Sequence, residues 1–136
     1  MLKDNERLDL LIKEDLKIIQ NDDVFSFSTD ALLLGDFTEI RKKDKIIDIC
    51  SGNGVIPLIL SHKGSQTIEG IEIQQQLVDM AQRSFKYNQL DDRLLMHHMD
   101  VKNVYHYFKP SQYTVVTCNP PYFLSLIHIS EPTRLG

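Results

Sequence analysis

Cysteine is scarce in this chain of 136 residues: Cys50 and Cys118 are too few for a disulfide framework and suit a reducing compartment. Standing 68 positions apart, they also leave no zinc-ligand spacing. Long apolar runs are missing. Nothing approaches the roughly 20 residues that a membrane-spanning helix needs, and MLKDNERLDL lacks the apolar stretch of a secretory signal. A basic excess is missing as well: 15 Lys and Arg face 19 Asp and Glu, a net charge of −4. A self-sufficient nucleic-acid binder would carry a basic footprint, so overall charge gives an RNA reading no help. No internal repeat, low-complexity stretch or Ser-His-Asp order is readable. What remains, 42% hydrophobic and 25% charged residues, is ordinary for a soluble domain able to bury a core. The expectation is one cytoplasmic domain with no membrane segment and no metal.

Residues 8–20, LDLLIKEDLKIIQ, fit two short strands or one amphipathic helix, and the turn signal Asn21-Asp22-Asp23 favours a strand over Leu16 to Gln20. Ser28 or Thr29 can cap a helix through ALLLGDFTEI, with Asp30 in its first turn. From Lys45 the pattern is regular. KIIDIC reads as a buried strand, SGNG as a glycine turn, and VIPLILSHK as a helix that tolerates Pro57 in its first turn and ends at Gly64. TIEGIEI is a second strand, and QQQLVDMAQRSFKYN a helix with Leu77, Met80, Ala81, Ser84 and Phe85 on one face. LLMHHMD, VKNVYHYF and YTVVTC follow as strand, short helix and strand. Alternation of this kind predicts an α/β doubly wound fold with right-handed crossovers, a parallel sheet, and ligands at the carboxyl ends of the strands.

Three motifs sit at such ends. In Asp48-Ile49-Cys50-Ser51-Gly52-Asn53-Gly54, two glycines permit a tight turn and close approach of a ligand beside a helix N-terminus. A plain turn is the bland alternative. A dinucleotide fingerprint would want a third glycine where Pro57 stands, which disfavours a nicotinamide enzyme. Glu72, 20 residues beyond Gly52, is placed to accept hydrogen bonds from both ribose hydroxyls of a nucleoside cofactor, or is a solvated acid. Glu69, three residues earlier, is the competitor and is expected to point out of the sheet. Asp100 can accept an adenine amino group, cap the next helix, or both. Asn119-Pro120-Pro121-Tyr122 carries the chemistry. Methyl transfer to a planar amine needs the nitrogen lone pair pulled out of conjugation. The Asn119 side-chain oxygen and the Pro120 carbonyl can hold the two amine hydrogens in that geometry, with Pro121 stiffening the turn. Tyr122 can stack on a base removed from its own stack. The alternative is a rigid turn without chemistry. His97 and His98, adjacent on a strand, face opposite ways and make no metal pair. Cys50 and Cys118 read as small buried residues at the ends of strands that could be neighbours.

DICSGNG, the acid of IEIQ, HHMD and CNPPYF together resemble a class I S-adenosylmethionine-dependent methyltransferase of the amino-methylating group. FSFSTDALLLGDF is similar to the segment before the glycine loop in bacterial tRNA(Val) adenine N6-methyltransferases. The resemblance implies S-adenosylmethionine as cofactor, held near Phe27, Thr29, Asp30, Asp48, Gly52, Gly54, Glu72 and Asp100. It implies an adenine of tRNA as substrate, with target-amine roles on Asn119, Pro120 and Tyr122. Glutamine methyltransferases acting on release factors share Asn-Pro-Pro-Tyr, some guanine N2 enzymes carry close variants, and a non-catalytic nucleoside-binding module would keep the same pocket. The expected organisation is an extension over 1–44, an incomplete Rossmann-like core over 45–123 with about four parallel strands, and a non-native tail over 124–136. LSLIHISEPTR resembles the translation of a transposon-end adapter used in sequencing libraries, so the frame is expected to leave native sequence at about Phe123. A core lacking three of the family's seven strands, with YTVVTC as an unpaired edge, is expected to be poorly stable and inactive.

Overall fold

The computed structural model describes residues 1–11, 16–24, 29–109, 112–119 and 133–134. Phe27, Pro120, Pro121, Tyr122, the Ser28 cap and most of the 124–136 tail lie outside the described residues. Near the N-terminus, β1 (Arg7–Leu10) and β2 (Lys17–Gln20) pair antiparallel. The short segments with a turn signal at Asn21 thus become a hairpin. α1 (Thr29–Phe37) follows, with Thr29 as its first residue rather than its cap and Asp30 in its first turn.

A regular unit then begins: β3 (Ile46–Ile49), α2 (Val55–Ser61), β4 (Ile68–Glu72), α3 (Gln75–Tyr87) and β5 (Leu94–His98). The stretch predicted as one short helix splits into a 3₁₀ turn, Val101–Asn103, and α4 (Val104–Tyr107). β6 (Val115–Cys118) and β7 (Thr133–Arg134) complete the sheet. Its order is β5-β4-β3-β6-β7, parallel except for the last pair. The chain steps outward from β3 through β4 to β5, then returns to the other flank of β3 as β6. Strand order therefore reverses between β3 and β6, where an α/β sheet leaves its binding crevice.

Packing follows the apolar periodicity. Leu77, Met80, Ala81, Ser84 and Phe85 of α3 are all buried, as their shared face requires. Every residue of α2 is buried, and Gly35 lets α1 lie close on it, since a Cβ there would stand 2.9 Å from Ile59 Cδ1. α2 ends at Ser61, before the expected Gly64; His62 is its cap, and the glycines with positive φ are Gly52 and Gly54. Lys63 continues the chain outward instead, donating to the Asp36 and Thr38 carbonyls at 2.5 and 2.7 Å, a cation at the carboxyl end of α1.

One expectation is corrected here. β6 is not an unpaired edge, because β7 covers part of it through Val115↔Arg134 and Val116↔Thr133. Among the described residues the cover spans two residues.

Candidate functional site

The glycine turn leaves β3 at Cys50, whose φ is 56°, and continues through Gly52 at 61° and Gly54 at 88°. Three left-handed residues in five turn the chain sharply enough that α2 starts at Val55. Two features hold this loop. The Ser51 amide donates to the Ile71 carbonyl at 2.8 Å, and the Gly52 amide donates to Glu72 Oε1 at 2.9 Å. Gly70 makes room underneath, since a Cβ there would meet Ser51 Oγ at 2.8 Å and Met96 Sδ at 2.9 Å. Gly54 is needed for packing as much as for its turn, because a Cβ would stand 2.8 Å from the Phe85 ring.

Glu72 is 6% exposed, and its second oxygen accepts from the Gln74 amide at 2.9 Å. One carboxylate is thereby clamped between the glycine loop and the start of α3, with lone pairs left over. Directly after it Ile73 is 57% exposed, a large apolar side chain at the end of β4, and Val101, just after β5, is exposed as well. The Met99 amide joins the two ends by donating to the Glu72 carbonyl at 3.0 Å. Asp100 caps the 3₁₀ turn by accepting from the Lys102 amide at 3.0 Å, one of the roles expected of it. Glu69 serves elsewhere: Tyr113 donates to its carboxylate and His97 Nε2 lies 2.9 Å from Oε1. The hydrogen bond with His97 holds Glu69 below the ordinary carboxylate value.

Asp48 is wholly buried at the end of β3, where Thr117 of β6 donates to Oδ1 at 2.7 Å. Burial raises its pKa to about 7; Ser51 and Thr117 oppose the rise and Glu72 adds to it. Ser51 acts through proximity, since Ser51 Oγ and Asp48 Oδ2 complete no hydrogen bond of normal geometry within the protein. An unsatisfied buried oxygen beside a glycine turn is what an incoming donor would find.

Asn119 follows β6 directly, half-buried, at the same end of the sheet. Cys118 pairs in register with Ile49, so Cys50 and Cys118 are neighbours. Both are half-buried rather than buried. Asp48, Gly52, Gly54, Glu72 and Asn119 therefore meet around the carboxyl ends of β3, β4 and β6, and Asp100 stands beyond β5. Thr29 and Asp30 lie on the exposed first turn of α1, whose buried side packs on α2. Thr117, Gly70 and Asn53 escaped the sequence reading. Of these, Gly70 alone carried a signal, a glycine inside a strand pattern. Among the described residues no cluster of three or more His, Cys, Asp or Glu could hold a metal ion, and no helix is long and apolar enough to cross a membrane.

The model of the methyltransferase small domain matches residues 15–129. The chain belongs to that family. Among curated proteins it is 35% identical over 97 residues to a tRNA1(Val) (adenine(37)-N6)-methyltransferase of Aliivibrio fischeri, covering 71% of this chain and 40% of the relative. The enzyme of the same name from Proteus mirabilis is 32% identical over 99 residues, covering 70% and 38%. This member of the methyltransferase small domain family thus spans about 40% of the length of such relatives. Among solved structures, the Pyrococcus abyssi tRNA (uracil-54, C5)-methyltransferase in complex with S-adenosyl-L-homocysteine matches with a TM-score of 0.66 at 17% identity, over 88% of this chain and 29% of that one. A Thiobacillus denitrificans S-adenosylmethionine-dependent methyltransferase matches at 0.56 and 17%, over 73% and 39%. At those identities they establish the class I methyltransferase fold.

Proposed function

We propose that the protein is an S-adenosylmethionine-dependent N-methyltransferase acting on the N6 amine of an adenine in tRNA, in the cytoplasm. One observation carries the reading: the strand reversal between β3 and β6 sets a glycine loop and its clamped acid beside Asn119. The residues present fit the cofactor. Glu72 keeps free lone pairs for ribose hydroxyls, Ile73 and Val101 offer apolar rims to a flat ring, and Asp48 Oδ2 has a vacant acceptor site. Bound S-adenosylmethionine supplies a methyl group on a sulfonium carbon. Asn119 accepts one amine hydrogen and the Pro120 carbonyl the other, which localises the nitrogen lone pair; Pro121 stiffens the turn and Tyr122 stacks on the base. Asp100 and the segment of Phe27, Thr29 and Asp30 complete the cofactor contacts. The names of the curated relatives support adenine in tRNA over a protein glutamine.

Activity is assigned to a chain of the relatives' full length, and the 136 residues alone are expected to lack turnover. The test incubates such a chain with labelled S-adenosylmethionine and either tRNA or a release factor, followed by nucleoside and peptide mass analysis. N6-methyladenosine is expected. Asn119→Ala should lower turnover at least about a hundredfold with cofactor affinity kept, the loss seen when one transition-state acceptor is removed. Label on a glutamine amide would transfer the reading to a protein substrate. Tight cofactor binding with no methyl transfer to either, and no effect of Asn119→Ala, would make the site a nucleoside-binding module.

A further inference from the structure

The site holds two thiols that the proposed reaction does not use. Cys50 opens the glycine loop and Cys118 closes β6, on adjacent strands at the switch point of the sheet. Register pairs Cys118 with Ile49, one residue before Cys50. Adjacent strands run roughly 4.8 Å apart, so the two Cα atoms lie about 5–6 Å apart, inside the range a disulfide spans. The two side chains lie close enough to shift each other's titration, and both are free and half-buried, within reach of a small oxidant. Cys50 also holds a left-handed backbone, φ 56°, that a side chain rarely adopts.

We propose that Cys50 and Cys118 form a modification site, a thiol pair that a hydroperoxide converts reversibly into an intramolecular disulfide tying the glycine loop to the end of β6 and closing the cofactor site. The closing half rests on the cofactor reading above; the disulfide does not.

The two thiols have different roles. Hydrogen bonding from Cys50 holds Cys118 below the ordinary thiol value against the opposing effect of burial, whereas the Cys50 thiol is pushed up by that same bond and by burial. Cys118 is thus the nucleophile. Its thiolate attacks one peroxide oxygen, the O–O bond breaks, and the other oxygen leaves as water or alcohol after taking a proton. The sulfenic acid on Cys118 is then attacked by the Cys50 sulfur. An S–S bond forms, hydroxide departs and carries off the Cys50 proton as water. Two thiols lose two electrons and the peroxide gains them. The link crosses from the residue before Ser51 to the residue before Asn119, between the cofactor loop and the amine acceptor.

The test treats the reduced 136-residue chain with hydrogen peroxide and follows intact mass, free thiols and S-adenosylhomocysteine affinity by calorimetry. Both thiols should disappear together with the mass of two hydrogens, and dithiothreitol should restore them. Affinity should fall at least about tenfold on oxidation and recover on reduction. Cys118→Ser and Cys50→Ser, each measured against its own untreated baseline, should gain oxygen or nothing and keep their affinity. Oxygen added to the unaltered chain without loss of the two hydrogens would overturn the disulfide. A disulfide that leaves affinity unchanged would overturn the closing role. A reduced chain that binds no S-adenosylhomocysteine would overturn the closing role in these 136 residues, while mass still decides the disulfide and the same calorimetry on a chain of the relatives' full length decides the cofactor reading.

Discussion

Asp48 is a carboxyl with one hydroxyl donor, no exposure and a second acid nearby, and burial moves it from 3.8 to about 7. The folded chain therefore keeps a proton that the unfolded chain releases at ordinary carboxylate pH. Unfolding sheds that proton between about pH 4 and pH 7, so stability falls as pH rises through this window and flattens above it. Asn at this position still accepts from Thr117 and points an amide at Ser51 Oγ, which has room for it. Urea unfolding at pH 5 and pH 8 should show the unaltered chain losing about 3 kcal/mol more than Asp48→Asn, since only the two pH units below about pH 7 contribute, at 1.36 kcal/mol each. Equal losses would mean Asp48 is ionised in the fold. Glu72 supports a different measurement. Glu72→Gln keeps an acceptor for the Gly52 amide but gives up the charge and one oxygen, so S-adenosylhomocysteine should bind about 10- to 100-fold more weakly, the worth of a charged hydrogen bond. Unchanged affinity would remove Glu72 from the cofactor site. Both acids were legible in the sequence because strand ends and loop spacing mark them. Thr117 was not, since its bond to Asp48 spans 69 residues and exists only once β6 has paired with β3.

At the level of elements, the β/α alternation from Lys45 was readable because apolar periodicity changes cleanly at each turn. The N-terminal hairpin was ambiguous for a physical reason: what holds it lies far away in sequence. The outer edge of β2 is satisfied by side chains, not by another strand. The Ile19 amide donates to Ser84 Oγ at 2.9 Å, its carbonyl accepts from Asn53 Nδ2 at 3.0 Å, and the Asn88 side chain brackets Lys17 through bonds of 3.0 and 2.7 Å. α3 and the glycine loop thus stand in for a missing strand, and the hairpin is coupled to the cofactor loop through Asn53. Ser84→Ala leaves the buried Ile19 amide without its acceptor, which costs about 1–3 kcal/mol. A urea titration should show that loss, with amide exchange of β1 and β2 faster by more than that of β4. Unchanged exchange in the hairpin would mean that apolar contact with Leu77 and Met80 holds it alone.

For the molecule as a whole, the question is how the sheet ends on the β6 side. β3 lies between β4 and β6, and β5 closes one flank with a full five-residue register. Among the described residues, Thr133 and Arg134 close the other flank. The sequence could not show this pairing, because LSLIHISEPTR carries no strand period that would single out those two residues. The energetic weight of a two-residue pairing is small: one or two exchanged backbone hydrogen bonds at about 0.5–1.5 kcal/mol each, less the entropy of ordering the segment that bears them. Deleting residues 124–136 should therefore lower the unfolding free energy by about 1 kcal/mol or less. The freed edge of β6 then faces solvent, and self-association on that edge should rise with concentration in sedimentation runs. A loss of several kcal/mol would show that the tail contributes to the core beyond its two paired residues, and the boundary of the domain would move from 123 to the end of the chain.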